Sequence, residues 1–325
     1  ISSSGVVTFN AAPDYENPAD SGPNNVYDLS ASVSDGSLSA SKDFMVTVTN
    51  DTSDDITTEG YDGIYVAAGP VQGATICIEV NAGTCTGAQF TTTSAQDGTF
   101  SLTVDSGTTG VLRGEGGFDP VTNLQFGEND SLALGQPVTD QNVVISVISG
   151  VMNEGTTTNY EAYKTNLGID SSFMIRFDNP FSSLDNAAYN KVAVINTQLA
   201  VLGKVLETIH TDNDSAAFNV SNKILSSSTE ISFGDTTFIK DLLTNYDADF
   251  SPTSDQLVSL SAGISAYMQK INANSSNSHS HFAKAGVSEL SALMKAVMDG
   301  TSNSDEIDKL VFNTINWINE NTSWD

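Results

Sequence analysis

Two hydrophobic periods divide the chain. In 26–33, Tyr27, Leu29, Ala31 and Val33 alternate with polar residues, and in 44–49 Phe44, Val46 and Val48 do the same. A period of two predicts strands with one wet face. Residues 6–9 predict a third strand, and Pro13, Asn17-Pro18 and Asp35-Gly36 mark the turns between them. After a polar, acidic linker at 51–55, shorter strands are expected at 63–67, 74–80, 89–93, 99–104, 110–113 and 131–134. Gln96-Asp97-Gly98 predicts a tight turn, because Gly98 accepts a positive φ where two strands reverse.

Beyond residue 141 the period becomes helical. Val192, Ile195, Leu199, Leu202, Leu206 and Ile209 share one face. So do Leu257, Leu260, Ile264, Met268 and Ile271, then Val287, Leu290, Met294 and Val297, and finally Ile307, Leu310, Val311, Ile315 and Ile318. Shorter helices are expected at 143–151, 159–166, 216–225 and 237–245, with Ser254, Ser304 and Asp185 or Asn186 as caps and 174–181 as an ordered loop. The stripes read as core faces of a helical bundle. The predicted fold is therefore multidomain β + α: an incomplete β-sandwich at 1–51, a second β-sandwich at 52–140, and an α-helical domain at 141–325.

Charge narrows the partners. Forty acidic side chains stand against 12 basic ones, a formal net charge of -28, and Lys42 and Arg113 are the only bases in the first 150 residues. Such a surface repels phosphate backbones and anionic lipid, so no nucleic-acid partner is expected. No apolar run reaches the ~18 residues of a transmembrane span. The chain opens at Ile1 with no signal peptide, which suits a processed or partial chain. Cys77 and Cys85 are the only cysteines. A strand pair would set them at disulfide distance, and a bridge is expected in an extracytoplasmic setting; two free buried thiols are the other reading.

Two stretches resemble known families. Gly5-Val6-Val7-Thr8-Phe9, Ala12-Pro13-Asp14-Tyr15-Glu16-Asn17-Pro18, Asn25-Val26-Tyr27-Asp28-Leu29, Val33-Ser34-Asp35-Gly36 and Val46-Thr47-Val48-Thr49 together resemble the C-terminal half of a bacterial cadherin-like repeat. The resemblance implies Ca²⁺ carboxylates at Asp14, Glu16 and Asp35, with Asp51 at the linker position; turn caps facing water are the alternative. Half a sandwich leaves an inner face and edges unfilled, and three sources of the missing strands stay open: upstream chain, a cleaved piece, or another subunit.

The second stretch runs from Gly69-Pro70-Val71-Gln72-Gly73-Ala74-Thr75-Ile76-Cys77 through Thr91-Thr92-Thr93 and Asp97-Gly98-Thr99-Phe100-Ser101-Leu102 to Gly114-Glu115-Gly116-Gly117-Phe118-Asp119. It resembles a prealbumin-like or carboxypeptidase-regulatory-like module of bacterial surface proteins. In that family the loop corresponding to 79–84 often reads like an acidic Asn/Asp/Gly calcium loop; here it offers one carboxylate, Glu79. With no lysine from 54 to 149, the lysine cross-link of some relatives is excluded.

Catalytic signatures are lacking. His279 and His281 flank Ser280 in a Ser/Asn-rich stretch expected as an exposed loop, Asp212-Asn213-Asp214 and Asp247-Ala248-Asp249 are incomplete calcium loops, and His210 ends a helix. The two resemblances imply a non-enzymatic, secreted, extracellular or cell-surface structural protein. Its expected roles are adhesion or self-assembly into a filament or layer, with itself, other surface proteins or glycans as partners. One alternative is a carbohydrate-binding or docking module of a larger secreted enzyme, for which exposed aromatics among Tyr61, Tyr65, Phe118 and Phe126 would be the sign; the second is an enzyme in the helical part, for which an inward-facing polar cluster in the bundle would be the sign, and the sequence shows none.

Overall fold

The computed structural model describes residues 5–52, 55, 57–79, 84–120, 124–137, 142–154, 160–209, 220–244, 246, 250–273, 279–299, 305, 306, 308, 309, 311–313 and 316. The fold mixes β-sheets and helices, in two compact units, Ile1–Thr57 and Thr58–Asp325.

The first unit is a hairpin, β1 (Val26–Ser34) and β2 (Ser39–Thr47), paired antiparallel with Tyr27 opposite Val46 and Leu29 opposite Phe44. The alternation of the sequence is its register. Asp35-Gly36 makes the turn: Gly36 sits at φ 94°, and Asp35 Oδ1 accepts from the amides of Ser37 at 2.9 Å and Leu38 at 2.8 Å. The expected strand at 6–9 is not formed; these residues are irregular, and Phe9 meets Tyr27 edge to face at 5.0 Å.

In the second unit, β3 (Thr58–Val66) is the middle strand of a three-stranded sheet, between antiparallel β6 (Thr99–Asp105) and parallel β9 (Val143–Ser146). The other sheet runs β5 (Thr91–Thr93), β4 (Thr75–Ile78), β7 (Val111–Asp119), β8 (Leu124–Pro137). The turn at 96–98 forms as expected. Gly98 has φ 77°, Asp97 Oδ1 accepts from the Thr99 amide and hydroxyl, and a Cβ on Gly98 would lie 2.5 Å from the Tyr65 carbonyl.

Residues 143–146 are a strand, not the start of a helix. Ser146 and Ser149 then cap each other: Ser146 Oγ accepts from the Ser149 amide and Ser149 Oγ from the Ser146 amide. That exchange satisfies the first free amides and starts α1 (Val147–Glu154). The remaining named helices are α2 (Tyr160–Asn166), α3 (Ala187–Leu206), α4 (Thr236–Leu243), α5 (Ser254–Ala273) and α6 (His279–Met298). Asn186 caps α3 by accepting from the Ala188 amide. The cap of α5 is Thr253 rather than Ser254, since Thr253 and Gln256 exchange hydrogen bonds between side chains and amides. Ser304, His210, both acidic triplets and most of the fourth stripe lie outside the described residues; Val311 of that stripe is buried.

One cluster of buried side chains runs through both sheets of this unit and its helices. Helix α3 is its pivot. The sequence predicts one apolar face, but every residue from Val192 to Leu202 is buried, including Asn196, Thr197 and Gln198. Burying amides without partners is costly, and here each is used. Asn196 Oδ1 accepts from the Ile148 amide while its Nδ2 donates to the Ala67 carbonyl, and Gln198 Nε2 donates to the Met268 carbonyl at 2.8 Å. Sheet, α1, α3 and α5 are thereby tied by polar bonds inside an apolar core.

Candidate functional site

The β1–β2 sheet is amphipathic, and its apolar face is only half-buried, with Phe9 lying against Tyr27. Pairing puts Tyr27, Leu29, Ala31, Val33, Ala40, Phe44 and Val46 on one face, with Lys42 opposite Ala31, against mostly Ser, Asp and Thr, with Val26 and Met45, on the other. An apolar sheet face of this kind normally packs against a second layer. No described residue of 5–57 is buried, and Val33 is 71% exposed. Among the described residues neither strand has a second neighbour, so each presents an open row of backbone donors and acceptors.

Carboxylates hold the rest of this unit in shape. Asp14 Oδ1 accepts from the amides of Glu16 and Asn17, both at 3.0 Å. Asp20, which the sequence analysis missed, gathers three amides: Asn24 at 3.0 Å, Gly22 and Asn25 at 3.2 Å. The signal was its place before Gly22 and Asn24-Asn25 in a turn-forming stretch. The Asn24 amide is the main cause holding the Asp20 pKa below its usual value; for Asp35 it is the amide of Leu38, then that of Ser37. The structure does not gather Asp14, Glu16, Asp35 and Asp51 into one ligand set. Among the described residues no three His, Cys, Asp or Glu side chains meet as a metal site. Asp14 and Asp35 each serve their own turn, 2–3 residues away.

Cys77 and Cys85 are joined by a disulfide, with Cα atoms 5.7 Å apart. They are not cross-strand partners: Cys77 stands opposite Thr91 on β5 and Arg113 on β7. Cys85 lies on the return segment, anchored because Glu115 accepts from the Cys85 amide at 3.0 Å and the Thr84 hydroxyl at 3.2 Å. Glu79, the one carboxylate of the calcium-like loop, instead pairs at 2.5 Å with Arg113, whose side chain is 3% exposed.

The aromatic sign of sugar binding is overturned at three positions. Tyr61, Tyr65 and Phe126 belong to the core, and Phe118 is partly buried. Burial raises the Tyr61 phenol pKa, with the Glu59 carboxylate adding to it. The His279–His281 pair lies in the first turn of α6 rather than in a loop.

Hollows border described residues of the second unit as well. One, of about 690 Å³, is bordered by Asn190, Gln198 and the exposed Lys191–Glu230 pair at 2.7 Å. Another, of about 710 Å³, is bordered by Thr92, Thr93, Ser101, Asn142, Asn179 and Phe177. No described helix is long and apolar enough to cross a membrane. No family profile, curated protein or solved structure matches the chain.

Proposed function

We propose that this chain is a non-enzymatic, extracellular structural protein of the bacterial surface type, which self-assembles through its first unit. The observation that carries this reading is the β1–β2 sheet, with an apolar face and two open edges. In this proposal the hairpin is part of a β-sandwich, and strands of a second copy complete it by edge pairing and cover the face of Tyr27, Leu29 and Phe44. The second unit, a disulfide-stapled β-sandwich followed by helices, is the displayed body. The Cys77–Cys85 bridge supports an oxidising compartment, and the net charge of -28 supports a soluble, exposed surface. Calcium enters as a stabiliser of the completed sandwich, through Asp14, Glu16, Asp35 and Asp51 brought together by the added strands.

Electron microscopy and sedimentation of the purified chain, with and without residues 1–57, test the proposal. Assemblies from the full chain and monomers from the shortened one are expected. A full chain that stays monomeric at every concentration overturns it. A calcium chelator should lower the assembled state's melting temperature; an unchanged melt removes calcium from the proposal.

A second reading has one observation in its favour. The 710 Å³ hollow offers hydroxyl and amide groups beside Phe177, a composition suited to docking a neutral sugar. Titration with neutral oligosaccharides, read by chemical-shift changes of Thr92, Thr93 and Ser101, tests it. Unmoved resonances dismiss it.

A further inference from the structure

We propose that a small hollow beside α2 binds the carboxylate of a compact, ring-bearing organic acid. Independent of the strand pairing above, it measures about 260 Å³, and its walls include Tyr160, Lys164, Phe173, Arg176 and Phe177.

Arg176 carries the argument. Five cations have a carboxylate: Arg113 has Glu79, Lys164 has Glu161, Lys191 has Glu230, Lys204 has Glu207 and Lys223 has Asp241. Arg176 has no carboxylate partner among the described residues. Its Nε is buried without an acceptor, and its guanidinium lies 5.5 Å from the centre of the Phe177 ring. The backbone is fixed, because the Val144 amide of β9 donates to the Arg176 carbonyl at 2.8 Å. A guanidinium held this way, part-buried and without an anion, is a costly arrangement that an incoming carboxylate relieves by charge-assisted hydrogen bonds.

The neighbours define the acid. Lys164 is 7% exposed, donates to the Ser171 carbonyl at 2.6 Å and pairs at 3.5 Å with Glu161, which also lines the hollow, so that pair is neutral and Arg176 is the cation left for the ligand. Tyr160, Phe173 and Phe177 offer flat apolar surface to the body of the ligand. An inorganic phosphate would leave that surface wet, and the negative charge of the whole chain disfavours a polyanion. One ring and one carboxylate satisfy both walls.

The test uses the full chain and three probes: benzoate, its uncharged counterpart benzyl alcohol, and inorganic phosphate. Calorimetry at low salt should show saturable benzoate binding, with the other two at least about tenfold weaker, the scale of one charge-assisted contact. Arg176→Gln should lose about tenfold or more in benzoate affinity, Arg176→Lys should retain part of it, and Lys42→Gln in the first unit should leave it unchanged. Melting temperatures give a second readout. Arg176→Gln should melt no lower than the parent, since it removes an unpaired charge, and benzoate should raise the parent's midpoint but not the variant's. Absent saturation by benzoate, equal binding of phosphate, or undiminished binding by Arg176→Gln overturns the proposal.

Discussion

Val33 and Tyr65 both stand on nine-residue strands, yet Val33 is 71% exposed and Tyr65 is fully buried. The two strands are alike in length and in carrying Tyr61 and Tyr65, or Leu29 and Val33, on one face, though β3 ends in the apolar run Ile64-Tyr65-Val66; the larger difference is whether the chain supplies a second layer. Around Tyr65 it does, with two sheets and helix α3 contributing to one core. Around Val33 the hairpin rests on its own ladder and on amides gathered by Asp14, Asp20 and Asp35. A two-stranded ribbon is marginal in water without packing against something else. The comparison teaches that alternation encodes a face, while burial depends on chain that is distant or separate.

The largest effect should come from the buried pair of the second unit. Glu79→Ala leaves Arg113 as a buried cation without this counterion and should destabilise the unit by about 3–5 kcal/mol in urea unfolding. Amide exchange in β1 and β2 should not change. Should the hairpin amides change too, the two regions are coupled and the contrast fails.

Next is the disulfide. Replacing Cys77 and Cys85 with serine releases an eight-residue separation and should cost roughly 2–3 kcal/mol. Gly98→Ala forces an L side chain into positive φ against the Tyr65 carbonyl, and should cost about 1–3 kcal/mol. A midpoint shift below experimental error would show that the turn relaxes freely.

Val33 and Met45 sharpen the comparison on the other side. Both are 71% exposed, but Val33 lies on the apolar face and Met45 on the polar one. Serine at either position should shift monomer stability by no more than about 0.5 kcal/mol. Under the assembly proposal only Val33→Ser weakens polymer formation. Equal loss from Met45→Ser would mean that the apolar face is not the one covered.

The smallest effect is on pH. Asp35 in the first unit and Asp97 in the second are both held below the usual carboxylate value, the one chiefly by the Leu38 amide and the other chiefly by the Thr99 hydroxyl. A lowered folded value means stability that is present above about pH 4 and lost as pH falls through it. Both groups face water, so a slight acid loss is expected in each unit, measured by amide exchange between pH 5 and 3. Weakening on the alkaline side of that window would reverse the sign and reject this account.

Much of this was readable in advance, for reasons particular to each element. The Asp35-Gly36 and Asp97-Gly98 turns depend on residues within two or three positions, so local chemistry suffices. The α3 stripe was legible as a face, but the burial of Asn196 and Gln198 was not, because their partners are Ala67, Ile148 and Met268. Val143–Ser146 is a short apolar run that helix and strand templates fit equally well; only pairing with β3 decides it. For the candidate site, alternation placed the hairpin's apolar face correctly. The resemblance implied a calcium set at Asp14, Glu16, Asp35 and Asp51; among the described residues these do not meet, and turn amides bond Asp14 and Asp35. The Arg176 hollow was invisible because no periodicity marks an arginine without a carboxylate.

The parallel pairing of β3 with β9 has a consequence for timing. Gly63 takes its place beside Val143, and Tyr65 beside Ile145, so one side of β3 waits through the synthesis of the five intervening strands β4 to β8. Closure of so long a loop is slow, and until it happens β3 shows a free edge to any neighbouring nascent chain. A ribosome stalled at residue 140 would hold a body still open along that side. Only once Val143–Ser146 has left the ribosome can it dock, and α1 and α3, made later still, then lock it in place. The interval between those two moments is when this chain is most exposed to mispairing.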